Sequence, residues 1–155
     1  MEQLQVRKAE PTDATTVSVL LVELGLVSPA DDMAERLRWF QRSGADHALL
    51  AVSGSSVVGL LAMTVLPRLT ADSPMVRITT LAVPEGPDLA WVERALVGEA
   101  ETVARRHRCT AIEVTRPRVS TSAPSDRLEQ LGYAVKDPDE LRLVKRLMPV
   151  EPIRI

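Results

Sequence analysis

Residues 47–66 read HALLAVSGSSVVGLLAMTVL, two nearly all-apolar runs around a Ser-Gly-Ser-Ser turn. Runs of that length joined by so short a polar connection are paired strands. A strand with one wet face alternates apolar and polar residues; these do not, so both of their faces are covered. The chain is thereby committed to a sheet with helices packed on either side.

The flanking sequence supplies the helices and the remaining strands. LQVRKAE is a short strand that stops before Pro11. Val17, Leu20, Leu21 and Leu24 then recur at i, i+3, i+4 and i+7, the stripe of an amphipathic helix, and Gly25 ends it as a C-terminal cap. A second helix is expected over SPADDMAERLRWFQRSG, with Ser28 as N-cap, Pro29 in the first turn and Asp31 completing a box-like spacing. Met33, Leu37 and Phe40 would form its buried face, and Gly44 its end; Trp39, beside Phe40, reads as core. MVRITTLAV is a further strand. A long helix from Asp88 to Arg106 buries Val92, Leu96, Ala100 and Val103, with Arg105, Arg106 and Arg108 at its negative end. CTAIEVT is a strand, a short helix carries Leu128 and Leu131, and YAVKDPDELRLVKRL reads as a closing hairpin. The order is β-α-α-β-β-β-α-β-α-β-β.

At 155 residues the chain fits one domain spanning 1–155, long enough to bury roughly two-thirds of its unfolded surface. Aromatics are only 3% of residues, so the core is aliphatic. A net charge of −2 argues against a nucleic-acid binder driven by bulk charge. Cys109 is the only cysteine, which excludes an internal disulfide, and with two histidines it does not make a structural zinc site. The N-terminus lacks a signal pattern, and no apolar run approaches the ~20 residues of a membrane span. A cytoplasmic protein is expected.

The segment LAVPEGPDLAWVERAL, 81–96, has the rhythm of a strand, a tight turn and a helix start. Many α/β proteins hold a phosphate at such a place on bare backbone N–H groups. Yet Gly86 is its only glycine, and Asp88, Trp91 and Glu93 crowd the helix entry. Asp88 can cap the helix with its own carboxylate, which would occupy the anion position from within. Glu93 adds a second negative charge near the positive end.

Several phrases, in order, resemble the GCN5-related N-acetyltransferase (GNAT) superfamily: VRKAEPTDA at the opening strand, with Asp13 entering the first helix; SGSSVVGLLAM at the central hairpin; ITTLAV before the acetyl-CoA loop; RALVGEAETVARRHRCTAIEVT after it; and LEQLGYAV before the last hairpin. The resemblance covers essentially the whole chain. It implies a mixed, mostly antiparallel α/β (α+β) sheet of six to seven strands with helices on both faces, splayed between ITTLAV and TAIEVT. It implies acetyl-CoA as cofactor, with backbone groups of Leu81 and Val83 on the pantetheine. The family's Arg/Gln-x-x-Gly-x-Gly/Ala loop falls on Asp88 to Glu93, which puts the remaining cofactor positions at Leu89, Trp91 and Glu93. Here the sequence departs from the pattern: an acid replaces Arg or Gln, and Trp91 and Glu93 replace small residues. The loop thus keeps its place in the architecture while its phosphate binding is weakened or lost.

The usual acid and base are missing too. The strand before the loop offers Arg77, Thr79 and Thr80 but no carboxylate; the family's tyrosine position falls on Leu128, and Tyr133 reads as core. The catalytic residues are therefore unknown from sequence. His47 reads as a surface or edge residue, His107 as a solvated partner of the helix dipole, Cys109 as a small buried apolar residue, and Arg116 and Arg118 as a solvated loop. Trp91 either fills the vacated cleft or covers a partner surface. Two functions remain open: N-acetyl transfer from acetyl-CoA to a small-molecule or protein amine, or a non-catalytic binding or assembly module, working as a homodimer, that no longer binds CoA. Neither involves nucleic acid or membrane.

Overall fold

The order of elements in a computed structural model follows the sequence expectation strand for strand as far as it is described, over residues 3–27, 32–115, 123–134 and 145–146. Strands β1 (Leu4–Lys8), β2 (Asp46–Ser53), β3 (Ser56–Leu66), β4 (Met75–Ala82) and β5 (Ala111–Val114) form one sheet in the order β1-β2-β3-β4-β5. The first four are antiparallel neighbours and β5 joins β4 in parallel. Five strands are therefore described where six to seven were expected, and the expected closing hairpin lies largely outside the described residues. By contacts the chain divides into two compact units, 1–120 and 121–155.

Helices α1 (Ala14–Glu23), α2 (Met33–Arg42) and α3 (Leu89–Arg106) belong to the first unit. Ala48 and Leu50 of β2, Leu60 of β3 and Ala82 of β4 pack with Val17, Leu20, Leu21, Met33 and Leu37 of α1 and α2. Gly59, one residue from Leu60, instead looks toward Val92 and Leu96 of α3. The sheet is thus covered on both faces, as the unbroken apolar runs required. Residues Ala48 to Ala51 and Gly59 to Met63 are all buried. The hairpin between them turns on Gly54 and Ser55, with Gly54 at φ 60°.

The first helix begins as the sequence implies. A 3₁₀ turn over Pro11–Asp13 leads into α1, and the Asp13 carboxylate accepts the Glu10 backbone N–H at 2.7 Å. The same carboxylate takes two bonds from Arg7, at 2.8 and 2.9 Å. Helix α2 starts later than expected: Met33 is its first residue and Asp32 its N-cap. Ser28, Pro29 and Asp31 lie outside the described residues. Met33 and Leu37 are buried and Phe40 packs on the same cluster, but Trp39 is 71% exposed. At about 100° per residue, Trp39 cannot share the face of Phe40, so adjacency to Phe40 did not make it core.

Helix ends repeat one device. After α1, the Leu26 N–H reaches the Leu21 carbonyl and the Gly25 N–H the Val22 carbonyl, with Gly25 at φ 69°. This is a Schellman cap. Helix α4 (Ala123–Gln130), in the second unit, ends the same way: Tyr133 bonds Leu128, Gly132 bonds Glu129, and Gly132 has φ 94°. The phrase LEQLGY is that cap. After α3, Cys109 bonds Ala104 and Arg108 bonds Arg105, but the left-handed residue is Arg108, at φ 59°. Helix α2 ends differently, on Ser43 in extended conformation, whose hydroxyl accepts the N–H groups of Ala45 and Asp46.

Candidate functional site

The site is set by the parting of β4 from β5. Four residue pairs join the two strands, from Met75–Ala111 to Ile78–Val114, followed by one more bond from the Thr115 N–H to the Ile78 carbonyl. Strand β4 then continues from Thr79 to Ala82, and among the described residues its ladder partners there lie on β3 alone. The parting coincides with a bulge. Ile78 pairs with Met63 and Thr80 with Ala62, so Thr79 is an extra residue, its hydroxyl turned to the Ala62 carbonyl at 3.4 Å. A bulge bends its strand and raises the local twist. Placed one residue after the last pair with β5, it turns β4 away from that neighbour.

Beyond the open stretch of β4 lies the turn into α3. Leu81 and Val83 are half-buried and Ala82 is buried. The turn residues from Pro84 to Asp88 are exposed, and the Leu89 N–H donates to the Gly86 carbonyl at 3.3 Å. Asp88 occupies the N-cap position of α3 but makes no side-chain cap bond; its φ of −94° and ψ of 0° place it in helical rather than extended conformation. The expected carboxylate cap is corrected accordingly. A cap needs the extended geometry that folds the side chain back over the helix end, and Asp88 is turned out to solvent.

The other loop positions separate into two faces. Leu89, Val92, Glu93, Leu96 and Val97 lie on the buried stripe of α3, with Glu93 only 4% exposed. Trp91 is 42% exposed on the outward side. Of the five cofactor positions expected from sequence, Leu81 and Val83 thus border the open stretch of β4, Leu89 and Glu93 face inward, and Trp91 faces outward. The geometry fits acetyl-CoA at one end. An exposed strand edge offers backbone donors and acceptors to a pantetheine amide. The diphosphate end fits poorly, because α3 opens without a glycine pair and with Asp88 exposed beside its first turn.

A carboxylate that sequence reading missed stands at the parting. Glu113 of β5 lies directly opposite Arg77 of β4, one pair before Ile78–Val114. The Arg77 guanidinium donates to Glu113 Oε2 from Nε at 3.0 Å and lies at 2.9 Å through its terminal nitrogen. The strand before the loop carries no acid; the neighbouring strand provides one. The alternation in AIEV was the signal that could have pointed to it.

Leu128 is buried, Tyr133 is half-buried, and Arg116 and Arg118 lie outside the described residues. Cys109 is half-buried just before β5, and burial raises its thiol pKa against the opposing charge of Arg68. His47 is half-buried and its ring meets that of His107 edge to face, with centroids 5.4 Å apart. Both histidines lie at the end of α3 away from the Asp88 turn. Among the described residues no helix is long and apolar enough to cross a membrane.

Similar architectures are known. No protein-family model and no curated protein sequence matches the chain. Among solved structures it is similar to a GNAT family acetyltransferase from Staphylococcus aureus subsp. aureus USA300_TCH1516, with TM-score 0.71, 18% identity and coverage of 93% of this chain and 100% of that one. It is similar to a Trypanosoma brucei acetyltransferase, with TM-score 0.73, 19% identity and coverage of 92% and 100%. A ribosomal-protein-alanine N-acetyltransferase from Brucella melitensis biovar Abortus 2308 gives TM-score 0.67, 18% identity and coverage of 93% and 99%. The fold is that of the GNAT acetyltransferases.

Proposed function

We propose that this protein is an acyltransferase of the GNAT type, moving an acetyl group from acetyl-CoA to an amine. One observation carries the reading: among the described residues β4 outruns β5 beyond a bulge at Thr79, beside the N-terminal turn of α3. Leu81 and Val83 on that stretch would hold the pantetheine arm through their backbone groups. When bound, acetyl-CoA supplies an acetyl group activated as a thioester. Glu113, oriented by Arg77, would take the proton of the incoming amine, directly or through a water. The reading extends to 1–155 as one domain, supported by structures of this fold that match more than nine-tenths of the chain.

A second reading, a non-catalytic binding or assembly module, has a specific observation in its favour. The entry to α3 carries Asp88 and Trp91 at the surface and Glu93 buried beneath, where a diphosphate would need glycine. Val19 and Val22 of α1 and Trp39 of α2 are also exposed, apolar surface of the kind a homodimer would cover. Calorimetry with acetyl-CoA separates the two. Binding near micromolar, about −8 kcal/mol, together with amine-dependent release of free thiol, supports transfer. A folded protein that takes up no acetyl-CoA at millimolar concentration leaves the module.

A further inference from the structure

His47 and His107 lie 60 residues apart in sequence and meet where β2 begins and α3 ends. His47 is the second residue of β2, paired with Met63 of β3; His107 is the C-cap of α3. His47 Nε2 is buried and has no hydrogen-bond partner among the described residues. We propose that this ring contact is an acid-released latch tying the C-terminal end of α3 to the N-terminal end of β2.

The physical case rests on where a proton would go. The Gly44 carbonyl favours an N–H on the His47 ring, which leaves Nε2 as the bare, accepting nitrogen. A bare lone pair without a partner is a tolerable burial. A proton added there makes a charged donor with no acceptor, which is a far costlier group to bury. The surroundings do not compensate. From β1 Lys8 faces the ring, and from α3 His107 does, flanked in sequence by Arg106 and Arg108; among the described residues Asp46, on the same strand as His47, is the opposing charge. The Asp46 carboxylate is already committed, chiefly to the Thr64 hydroxyl at 2.6 Å on β3. Burial, then His107 and Lys8, hold the His47 pKa below the ordinary histidine value.

The sign follows. A histidine with a lowered folded pKa contributes fully to the closed state above its unfolded value of about 6.5, and that contribution is lost as pH falls below it. Opening the contact frees Nε2 to water and separates the two rings. The loss falls on the last turn of α3, where Arg108 already holds a left-handed conformation. Among the described residues no group of three or more His, Cys, Asp or Glu is placed to hold a metal ion.

Two measurements test the latch, neither of which depends on acetyl transfer. Ring resonances of both histidines are followed by NMR across pH 4.5–8.5 in the wild-type protein and in His107→Gln, a change at an exposed position. The His47 midpoint is expected below that of an ordinary histidine and is expected to rise toward it in His107→Gln. A midpoint at or above the ordinary value, or one indifferent to His107, overturns the proposal. In parallel, exchange of the His107, Arg108 and Cys109 amides, corrected for intrinsic rate, should quicken by ~3- to 10-fold per pH unit below about 6.5, the limit for one linked proton. His47→Phe, which keeps a ring and removes the titration, should abolish that dependence. Equal acid sensitivity in His47→Phe, or pH-independent protection in the wild type, overturns it as well.

Discussion

A Cβ atom placed on Gly59 would stand 2.8 Å from Val92 Cγ1, closer than carbon atoms approach in folded proteins. Gly59 lies in β3 and Val92 in the first turns of α3, so the helix rests on bare backbone at this one point. Leu96 Cδ1 at 3.0 Å and Val83 Cγ2 at 3.3 Å close the same spot. The strand, the turn and the helix that frame the candidate site therefore meet over a glycine.

Gly59→Ala is expected to destabilise the protein by about 1–3 kcal/mol, the usual cost of overpacking. Chemical denaturation at neutral pH measures it. Because Val83 and Val92 must shift to make room, acetyl-CoA affinity should fall along with stability. An alanine variant as stable as the wild type would mean that α3 does not sit this close to β3.

Arg108→Gly should stabilise the protein. Three Schellman caps end α1, α3 and α4, and Gly25 and Gly132 hold the left-handed position in two of them while Arg108 holds it in the third. That conformation costs an L-residue about 1–2 kcal/mol, offset in part by the greater freedom of glycine in the unfolded chain. A net gain of about 0.5–1 kcal/mol is expected, read as a raised denaturation midpoint with an unchanged slope.

Asp13 should contribute to the acid limb of stability in the first unit. Its pKa is lowered, first by the side-chain bond from Arg7 and further by the Glu10 backbone N–H, against some burial. A carboxyl with a lowered folded pKa contributes fully above its unfolded value near 3.9, and the contribution is lost as pH falls below that value through the folded one. Asp13→Asn keeps an acceptor for the Glu10 N–H but removes the charge paired with Arg7, and should lower stability by about 0.2–1 kcal/mol at pH 7. The difference should shrink toward pH 2–3. A gap that stays constant with pH would show that the charge is not what matters.

Asp88→Ala should cost less than about 0.5 kcal/mol, because no cap bond is lost and only a screened interaction with the helix dipole is removed. Asp88→Arg with Trp91→Gly goes further. It exchanges an acid for a phosphate-binding guanidinium and bares the backbone, while leaving the buried Glu93 in place. Acetyl-CoA affinity should rise tenfold or more, about 1.4 kcal/mol, and the gain should shrink with salt. A folded double variant with no gain would place the obstacle deeper than the loop.

Glu113→Gln should reduce turnover by about 100-fold or more if this carboxylate takes the amine proton. Acetyl-CoA affinity should change little, because the substitution preserves the shape of the Arg77 contact. Steady-state rates of thiol release and calorimetry on the same preparation distinguish that outcome from a general loss of structure.

Much of the architecture is local and was therefore legible in the sequence. The apolar runs of 47–66 required a sheet covered on both faces, the 3.6-residue stripe of α1 named Val17, Leu20 and Leu21 as its buried side, and Gly25 marked its end. Each of these follows from a period or a φ angle set within a few residues. The family resemblance carried by the order of phrases, too, was enough to anticipate that ITTLAV and TAIEVT are sheet neighbours, while their parallel direction came from the structure. What the sequence could not resolve depended on which distant residues meet. Whether Trp39 is inside depends on where α2 touches the sheet, not on its neighbour Phe40. That Glu93 is buried depends on the angle at which α3 settles over Gly59. Asp88 looked like a cap because its residue type suits one, yet the cap is a matter of φ and ψ that the preceding turn imposes. Glu113 beside Arg77, and His47 beside His107, arise only from strand register and helix docking. One residue of slip in β5 would turn Glu113 to the opposite face of the sheet. Local propensity chose the elements; long-range packing, which no short window of sequence contains, chose the neighbours that give the site its chemistry.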